Sequence, residues 1–258
     1  SLIWRRFAGV FDVVDAGLKA IDNLPDGRID VDKLLRAIGN NTRLVVTLTP
    51  NNPTGLMLSR EEVERLALET PASTLLFVDE AYFEFARHAG GPDAVEILKR
   101  RQGPWVVTRT FSKAYALAGL RLGYAICSSE EIANALRLIT STFNLAGVAE
   151  AAAMAALDDP QYTSHILDTN ATERQRIIDG VTEMGLGSMA SVTNFIPVDV
   201  RRDAGAVVKA LRERRVRVAG FGYEAAGNFI RVSTGTAQDT EAFLSALRAV
   251  LAEIPQTS

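Results

Sequence analysis

Short apolar runs alternate with amphipathic segments along the chain up to about residue 158. Four runs rich in Val, Leu and Ile predict buried strands, at residues 43–49, 74–80, 105–110 and 120–127. Apolar residues at helical spacing predict helices at 93–101, 129–139 and 59–69, the last capped by Ser59 with Glu62 three residues on. This alternation predicts an α/β fold with a mostly parallel central sheet sandwiched by helices. Right-handed crossovers would then place all strand C-termini on one edge, where ligands bind.

The pattern changes near residue 160. A long helix is predicted at 161–184, followed by a strand-like stretch at 191–200, a helix at 204–215, strands at 215–220 and 228–234, and a final helix at 239–254. Strands backed by helices in this order predict a smaller α+β domain. The sequence therefore predicts a large domain at 1–158 and a small C-terminal domain at 159–258, divided where "DDP" interrupts the helices.

The composition narrows the class of protein without identifying its function. The chain has 258 residues, 47% of them hydrophobic, and a formal net charge of −3, so we expect neither nucleic acid nor an acidic membrane as a partner. No apolar run reaches membrane-spanning length, and the start "SLIWRRF" lacks the apolar core of a signal peptide. The single cysteine, Cys127, excludes an internal disulfide and favours a reducing cytoplasm. We expect no metal site.

Polar signals follow the first three predicted strands. They are the loop "TPNNPTG" (49–55), the pair Asp79 and Tyr82, and Ser112 with Lys113, followed eight residues later by Arg121. Each has an ordinary explanation alone, because Asn, Pro and Gly form turns, Asp caps helices, and most Lys and Arg lie on the surface. Since all three fall at one edge of one predicted sheet, a shared site is the better interpretation.

The lysine suggests what this site is for. A buried amine is costly unless something uses it, and a lysine amine can condense with an aldehyde cofactor, of which pyridoxal phosphate is the usual one. That cofactor needs a carboxylate for its ring nitrogen, hydrogen-bond donors for its phenolic oxygen, and a cation with hydroxyls for its phosphate. The candidates, in that order, are Asp79; Asn52 and Tyr82; and Arg121 with Thr110 and Ser112. Lys113 would be the amine.

The motifs "NNPTG", "VDEAYFEF", "TFSKAYALAGLRLGY" and "NFIRVSTGT" together resemble the class I/II, fold-type-I aminotransferases that use pyridoxal phosphate. The resemblance covers nearly the whole chain and is greatest to the histidinol-phosphate aminotransferase branch. It implies Lys113 as the catalytic amine and proton carrier, and it implies the cofactor contacts named above. It adds Arg231 as the clamp for the substrate carboxylate and Asn194 as either a substrate contact or a structural hydrogen bond. It also implies a homodimer in amino-acid biosynthesis.

Two features depart from the family pattern. The chain begins at a point that resembles the region after the family's glycine-containing cofactor loop, so we expect either a fragment or an incomplete site. Trp4 is expected to pack in the core rather than to stack on the cofactor ring. In addition, the arginine that grips the substrate phosphate in histidinol-phosphate enzymes aligns with Ala219, while Arg217 lies two residues earlier. Two kinds of amino donor therefore remain possible: a phosphorylated one, such as histidinol phosphate, and an aromatic or other amino acid.

Three functions remain open at this point. The first is an aminotransferase that moves an amino group between an L-amino acid, or histidinol phosphate, and a 2-oxo acid such as 2-oxoglutarate. The second is a pyridoxal-phosphate-dependent decarboxylase, because the resemblance extends to threonine-phosphate decarboxylase. The third is a non-catalytic fragment of the fold. A keto acid product would distinguish the first from the second, and cofactor stoichiometry would identify the third.

Overall fold

The four apolar runs form one sheet. In the computed structural model, which describes residues 16–221 and 227–256, they are β1 (Leu44–Leu48), β2 (Leu75–Asp79), β3 (Trp105–Thr110) and β4 (Gly123–Cys127). The strands lie in the order β1-β2-β3-β4, and β1, β2 and β3 are parallel. The predicted mostly parallel sheet is therefore confirmed. The prediction that Trp4 packs in the core concerns a residue outside the described ones.

The direction of β4 contradicts the expectation that all strands end at one edge. This strand runs antiparallel to β3, with Gly123 opposite Thr110. It begins later than predicted because Ala118–Leu120 form a 3-10 turn and Arg121 has a left-handed φ of 54°. The link at 111–122 folds into turns rather than the crossover helix that a parallel neighbour needs, so the chain reverses. The start of β4 thus returns to the edge where β1, β2 and β3 end.

Helices alternate with these strands along the chain. They are α1 (Val31–Arg36), α2 (Arg60–Glu69), α3 (Phe83–His88), α4 (Ala94–Leu98), α5 (Glu130–Ile139) and α6 (Gly147–Leu157). The predicted cap of α2 is confirmed, because Glu62 N donates to Ser59 Oγ at 3.2 Å and Ser59 N donates to Glu62 Oε2 at 2.7 Å. Leu66 of α2 and Leu98 of α4 pack with Leu76 of the sheet in one hydrophobic cluster.

The rest of the chain forms a second, antiparallel sheet with its own helices. Its elements are α7 (Pro160–Glu183), β5 (Gly187–Ser188), β6 (Phe195–Asp199), α8 (Ala204–Glu213), β7 (Ala219–Gly220), β8 (Phe229–Ser233) and α9 (Ala237–Glu253), with strand order β5-β6-β8-β7. The strand predicted at 215–220 is reduced to β7: Arg215 has a left-handed φ of 63° and cannot begin an extended strand, and within this stretch only Ala219 and Gly220 pair with β8. Among the helices described, α7 included, we find none with the length and apolar character needed to cross a membrane.

Each sheet has a separate hydrophobic cluster. Ile196, Ile230 and Leu247 belong to the cluster of the second sheet. A smaller cluster, which contains Tyr82 and Phe195, spans both parts. The domain boundary at 158/159 stays a prediction; the start of α7 at Pro160, capped by Asp159, lies close to it.

The two parts also meet at Gly55, in the loop after β1. Val192 N donates to the Gly55 carbonyl at 3.0 Å, and Gly55 has a φ of 75°. A Cβ on Gly55 would lie 2.0 Å from Ser191 Oγ, far inside contact distance. Glycine therefore satisfies both the backbone conformation and the close approach of the two segments.

We expect Gly55→Ala to lower the free energy of unfolding by about 3 kcal/mol, because left-handed backbone strain adds to overlap with Ser191. Gly90→Ala is the matched control, since Gly90 has a φ of 82° and a Cβ there would meet nothing within 4 Å. The control should lose only about 1 kcal/mol. Urea unfolding measures both variants, and equal losses would show that the contact with Ser191 imposes no constraint.

Candidate active site

The turn after β3 holds Lys113. Phe111 N donates to the Leu122 carbonyl at 3.1 Å and Leu117 N donates to the Phe111 carbonyl at 3.0 Å, so this segment folds back on itself. The side chain of Lys113 is half-buried there, and its Nζ lies 5.2 Å from the centroid of the Tyr82 ring. The amine is therefore at the edge of the sheet where β1, β2 and β3 end.

Charged groups from three other segments act on the Lys113 amine. Burial lowers the pKa of this amine, and the cations of Arg231 and Arg121 lower it further. The carboxylate of Asp79 acts in the opposite direction without cancelling these effects. The unprotonated amine, which is the nucleophilic and basic form, is thus more populated than on a surface lysine.

Asp79 is the last residue of β2 and is half-buried. Burial raises the pKa of its carboxyl, while a hydrogen bond from Ala81 N at 3.0 Å, the Thr108 hydroxyl and the charge of Lys113 favour the ionised form. Asp79 is in register with Thr108 of β3, so the two side chains leave the sheet on the same face. A partly desolvated carboxylate in this position can bind a protonated ring nitrogen.

Arg231 of β8 reaches across to the loop after β1. Its Nη1 donates to Asn52 Oδ1 at 2.9 Å, and its guanidinium carbon lies 5.1 Å from the centroid of the Phe195 ring. The bond occupies the oxygen of the Asn52 side chain, so its NH₂ group is the end that remains to donate. Half-buried and held on an aromatic face, Arg231 is placed to bind a carboxylate.

Tyr82 follows β2 and is almost fully buried, with 4% of its surface exposed. Its ring packs edge-on against Phe195, with 5.4 Å between the ring centroids. Burial raises the pKa of its phenol to about 12, so the hydroxyl keeps its proton near neutral pH. Tyr82 is therefore available as a hydrogen-bond donor.

Thr110, Ser112 and Arg121 gather around the end of β3 and the start of β4. The hydroxyls of Thr110 and Ser112 lie 2.9 Å apart, and Ser112 N donates to Thr110 Oγ1 at 3.1 Å. Arg121 is exposed, and its Nη1 donates to the Ala118 carbonyl at 2.7 Å, which leaves other guanidinium donors for an anion. Two hydroxyls at the end of β3 and a cation just before β4 are the kinds of donor that a phosphate binds.

Asn194 lies immediately before β6. Its backbone carbonyl accepts hydrogen bonds from Thr234 N at 3.0 Å and from Thr234 Oγ1 at 3.1 Å. These bonds tie the start of β6 to the end of β8, the strand that carries Arg231. Both bonds are made by the backbone of Asn194, so the role of its side chain stays a prediction.

Two groups of residues in and near this site were not found from the sequence. Phe195, which packs against both Arg231 and Tyr82, read only as part of an apolar strand. The ion pair of Glu80 and Arg109 lies behind the site; its signal was a charged residue at each of two strand ends that are otherwise apolar.

A cavity of about 690 Å³, lined by Arg101, Trp105, Ser128 and Glu131 among others, lies toward the opposite edge of the sheet and contains none of the predicted site residues.

We expect Arg231→Gln to raise the pKa of the Lys113 amine, because the variant removes one of the cations that disfavour its protonation. The pH dependence of labelling of Lys113 by an amine-reactive reagent, followed by peptide mass spectrometry, measures this pKa. Arg248→Gln is the control, since Arg248 pairs with Glu183 on the surface. A midpoint that stays in place or falls in Arg231→Gln would contradict the electrostatic account of the amine.

Comparison with known proteins identifies the family of the chain. Residues 4–247 match the family described as aminotransferase class I and II. Over 226 residues the chain is 42% identical to a Pseudomonas aeruginosa protein named histidinol-phosphate aminotransferase 2, and the match covers 86% of this chain and 60% of that protein. The chain thus spans less than two thirds of the length of this curated relative.

Solved structures show the same fold. A histidinol-phosphate aminotransferase from Sinorhizobium meliloti, solved in complex with pyridoxal 5′-phosphate, superposes with a TM-score of 0.90 at 32% identity, over 98% of this chain and 69% of that one. An L-threonine-O-3-phosphate decarboxylase from Porphyromonas gingivalis has a TM-score of 0.81 at 18% identity, over 97% of this chain and 75% of that one, and so shares the fold alone. The chain belongs to the aminotransferase class I and II family.

Proposed function

We propose that the protein is a pyridoxal-phosphate-dependent aminotransferase that moves an amino group between an L-amino acid, or histidinol phosphate, and a 2-oxo acid such as 2-oxoglutarate. The observation that carries this proposal is the position of the half-buried Lys113 amine at the edge where β1, β2 and β3 end; burial lowers its pKa, Arg231 and Arg121 lower it further, and Asp79 opposes them. Family membership supports the reaction class, and the cofactor in the Sinorhizobium meliloti structure supports the choice of cofactor.

The residues present fit pyridoxal phosphate. Asp79 would bind the ring nitrogen, and the NH₂ group of Asn52 with the phenol of Tyr82 would donate to the phenolic oxygen. The phosphate would be held by Thr110, Ser112 and Arg121. The fit rests on three observations: the charge of Lys113 acts on the Asp79 carboxylate, the oxygen of the Asn52 amide is already bonded to Arg231, and the hydroxyls of Thr110 and Ser112 are paired at the end of β3.

When bound, the cofactor supplies an aldehyde that receives the amino group and a ring that accepts electrons from the substrate Cα. Arg231 binds the substrate α-carboxylate and so orients Cα toward Lys113. The Lys113 amine, with its pKa lowered by burial and by the cations of Arg231 and Arg121, would accept and hold the proton of Cα. Phe195 and Tyr82 keep this region apolar behind the guanidinium of Arg231.

The nature of the amino donor depends on what lies beside Arg231. Ala219 of β7 is directly opposite Arg231 in the sheet register, so their side chains share one face. Arg217 lies outside β7 and is exposed. Position 219 is therefore the place where a phosphorylated donor would meet a cation or, as in this chain, a methyl group.

A homodimer in the cytoplasm is the proposed assembly and location. Large apolar side chains are exposed along α5, α6 and the segment between them, with Phe143 97% exposed, and include Leu138, Ile139, Val148, Met154 and Leu157. An exposed apolar surface of this kind is typical of a subunit interface. A monomer in sedimentation velocity at micromolar concentration, or recovery of the protein in a membrane fraction, would contradict this part of the proposal.

We expect Lys113→Ala to abolish covalent capture of the cofactor, because Lys113 supplies the amine that condenses with the aldehyde. Incubation with pyridoxal phosphate, reduction with borohydride and peptide mass spectrometry should place the cofactor on Lys113 in the original chain and nowhere in the variant. Lys99→Ala is the control, since Lys99 pairs with Glu96 on the surface and should not affect capture. Stoichiometric capture by Lys113→Ala would refute the assignment.

We expect Ala219→Arg to raise kcat/KM for histidinol phosphate relative to phenylalanine by about tenfold or more, because a guanidinium beside Arg231 would bind the phosphate. Steady-state kinetics with 2-oxoglutarate as acceptor give the ratio for both proteins. Ala219→Gln controls for side-chain size. A ratio that does not differ between the arginine and glutamine variants would mean that position 219 does not contact the donor side chain.

A further inference from the structure

A buried ion cluster lies at the same edge of the first sheet as Lys113, on the face opposite to Asp79 and Thr110. Arg109 Nη2 lies 2.7 Å from Glu80 Oε2 and 2.8 Å from Asp93 Oδ1, and Arg109 Nε donates to Glu80 Oε2 at 2.9 Å. The exposed fraction of the side chain is 9% for Arg109, 2% for Glu80 and 26% for Asp93. The guanidinium also lies over the Phe83 ring, with its carbon 3.3 Å from the ring centroid.

Two members of this cluster, Glu80 and Arg109, are immediate sequence neighbours of proposed cofactor ligands. Glu80 follows Asp79, and Arg109 precedes Thr110. Because successive side chains of a strand point to opposite faces, Asp79 and Thr110 face the site while Glu80 and Arg109 face the other way. The ion pair therefore connects the two strand ends from behind.

Backbone contacts extend the same connection. Glu80 N donates to the Thr108 carbonyl at 2.8 Å, and Glu80 Oε1 accepts a hydrogen bond from Ala94 N at 3.2 Å. The end of β2, the end of β3 and the start of α4 thus meet at the Arg109 guanidinium and the carboxylates of Glu80 and Asp93. In the cluster, two carboxylates face a single guanidinium, so the arrangement depends on Arg109.

A buried ion pair is a poor way to gain stability, because desolvation of the charges offsets most of their attraction and apolar residues of similar volume would do as well. What a guanidinium adds is a fixed geometry, since its N–H groups point in fixed directions and can bond only to carboxylate oxygens at particular positions. We propose that Arg109 is a positioning residue that, through Glu80, holds Asp79 and Thr110 at the separation that the cofactor requires. This inference rests on the proposed function for the roles of Asp79 and Thr110.

The chain contains a matched comparator. Arg101 is also buried, at 8% exposure, and belongs to the same part of the chain. Its guanidinium donates to backbone carbonyls at the other end of the strands, those of Ala67, Thr70, Pro71 and Thr74. Loss of Arg101 should therefore weaken folding without moving Asp79 or Thr110.

The experiment compares Arg109→Gln with Arg101→Gln by two measurements. The first is the dissociation constant for pyridoxal phosphate, and the second is the pH midpoint for labelling of Lys113 in the cofactor-free chain. Arg109→Gln should weaken cofactor binding by about tenfold or more, whereas Arg101→Gln should change it by less than about twofold at a similar loss of stability in urea.

The direction in which the pH midpoint for labelling of Lys113 moves distinguishes a displaced Asp79 from the simple loss of the Arg109 charge. The groups that act on Lys113 are Asp79, Arg121 and Arg231, with the Tyr82 ring beside it. If Arg109→Gln merely removed a distant cation, the midpoint would rise; if Asp79 moves away, the amine loses its carboxylate and the midpoint falls. We expect a fall in Arg109→Gln and no change in Arg101→Gln.

Arg109→Lys serves as the second variant if Arg109→Gln does not fold, because it keeps the charge and loses the fixed geometry of the guanidinium. It should show shifts of the same sign and smaller size. A rise or no change of the midpoint in a folded Arg109 variant, or equal effects of the Arg109 and Arg101 variants, would overturn the inference. If the original chain does not bind pyridoxal phosphate at all, the proposed function fails, while the labelling measurement still tests the link between Arg109 and Asp79.

Discussion

The partial burial of the Lys113 amine is the constraint on which the rest of the site depends. Removing an ammonium group from water is costly, and in this fold the cost is offset only in part by the carboxylate of Asp79, because two guanidinium groups oppose the charge of the lysine. The result is an amine that gives up its proton more readily than a surface lysine. The surrounding residues that produce this effect come from segments far apart in the chain, so the property exists only in the folded protein.

The reversal of the chain between β3 and β4 explains how so many groups reach one edge. If β4 had been parallel to β3, its start and Arg121 would lie at the opposite end of the sheet. Because the chain turns back after Lys113, Gly123 is opposite Thr110 and Arg121 returns to the amine. The left-handed backbone of Arg121 is part of the same turn.

The second sheet contributes through a small number of contacts. Arg231 reaches Asn52 and lies over the Phe195 ring, and Phe195 in turn packs against Tyr82. The approach of Ser191 to Gly55 brings the same loops together from another side. These contacts couple the position of Arg231, the proposed clamp for the substrate carboxylate, to the residues proposed to hold the cofactor ring.

The sequence by itself determined the elements whose pattern is local. Apolar runs located all four strands of the first sheet, the capping residues located the start of α2, and the polar residues after β1, β2 and β3 were predicted at one edge because parallel strands must end together. Only the tertiary structure decided the direction of β4, the shortness of β7 and the pairing of Arg231 with Asn52. It alone revealed Phe195 and the Glu80–Arg109 pair as neighbours of the site. The physical reason is that direction, register and side-chain pairing depend on contacts between residues distant in sequence, as in the 179 positions that separate Asn52 from Arg231.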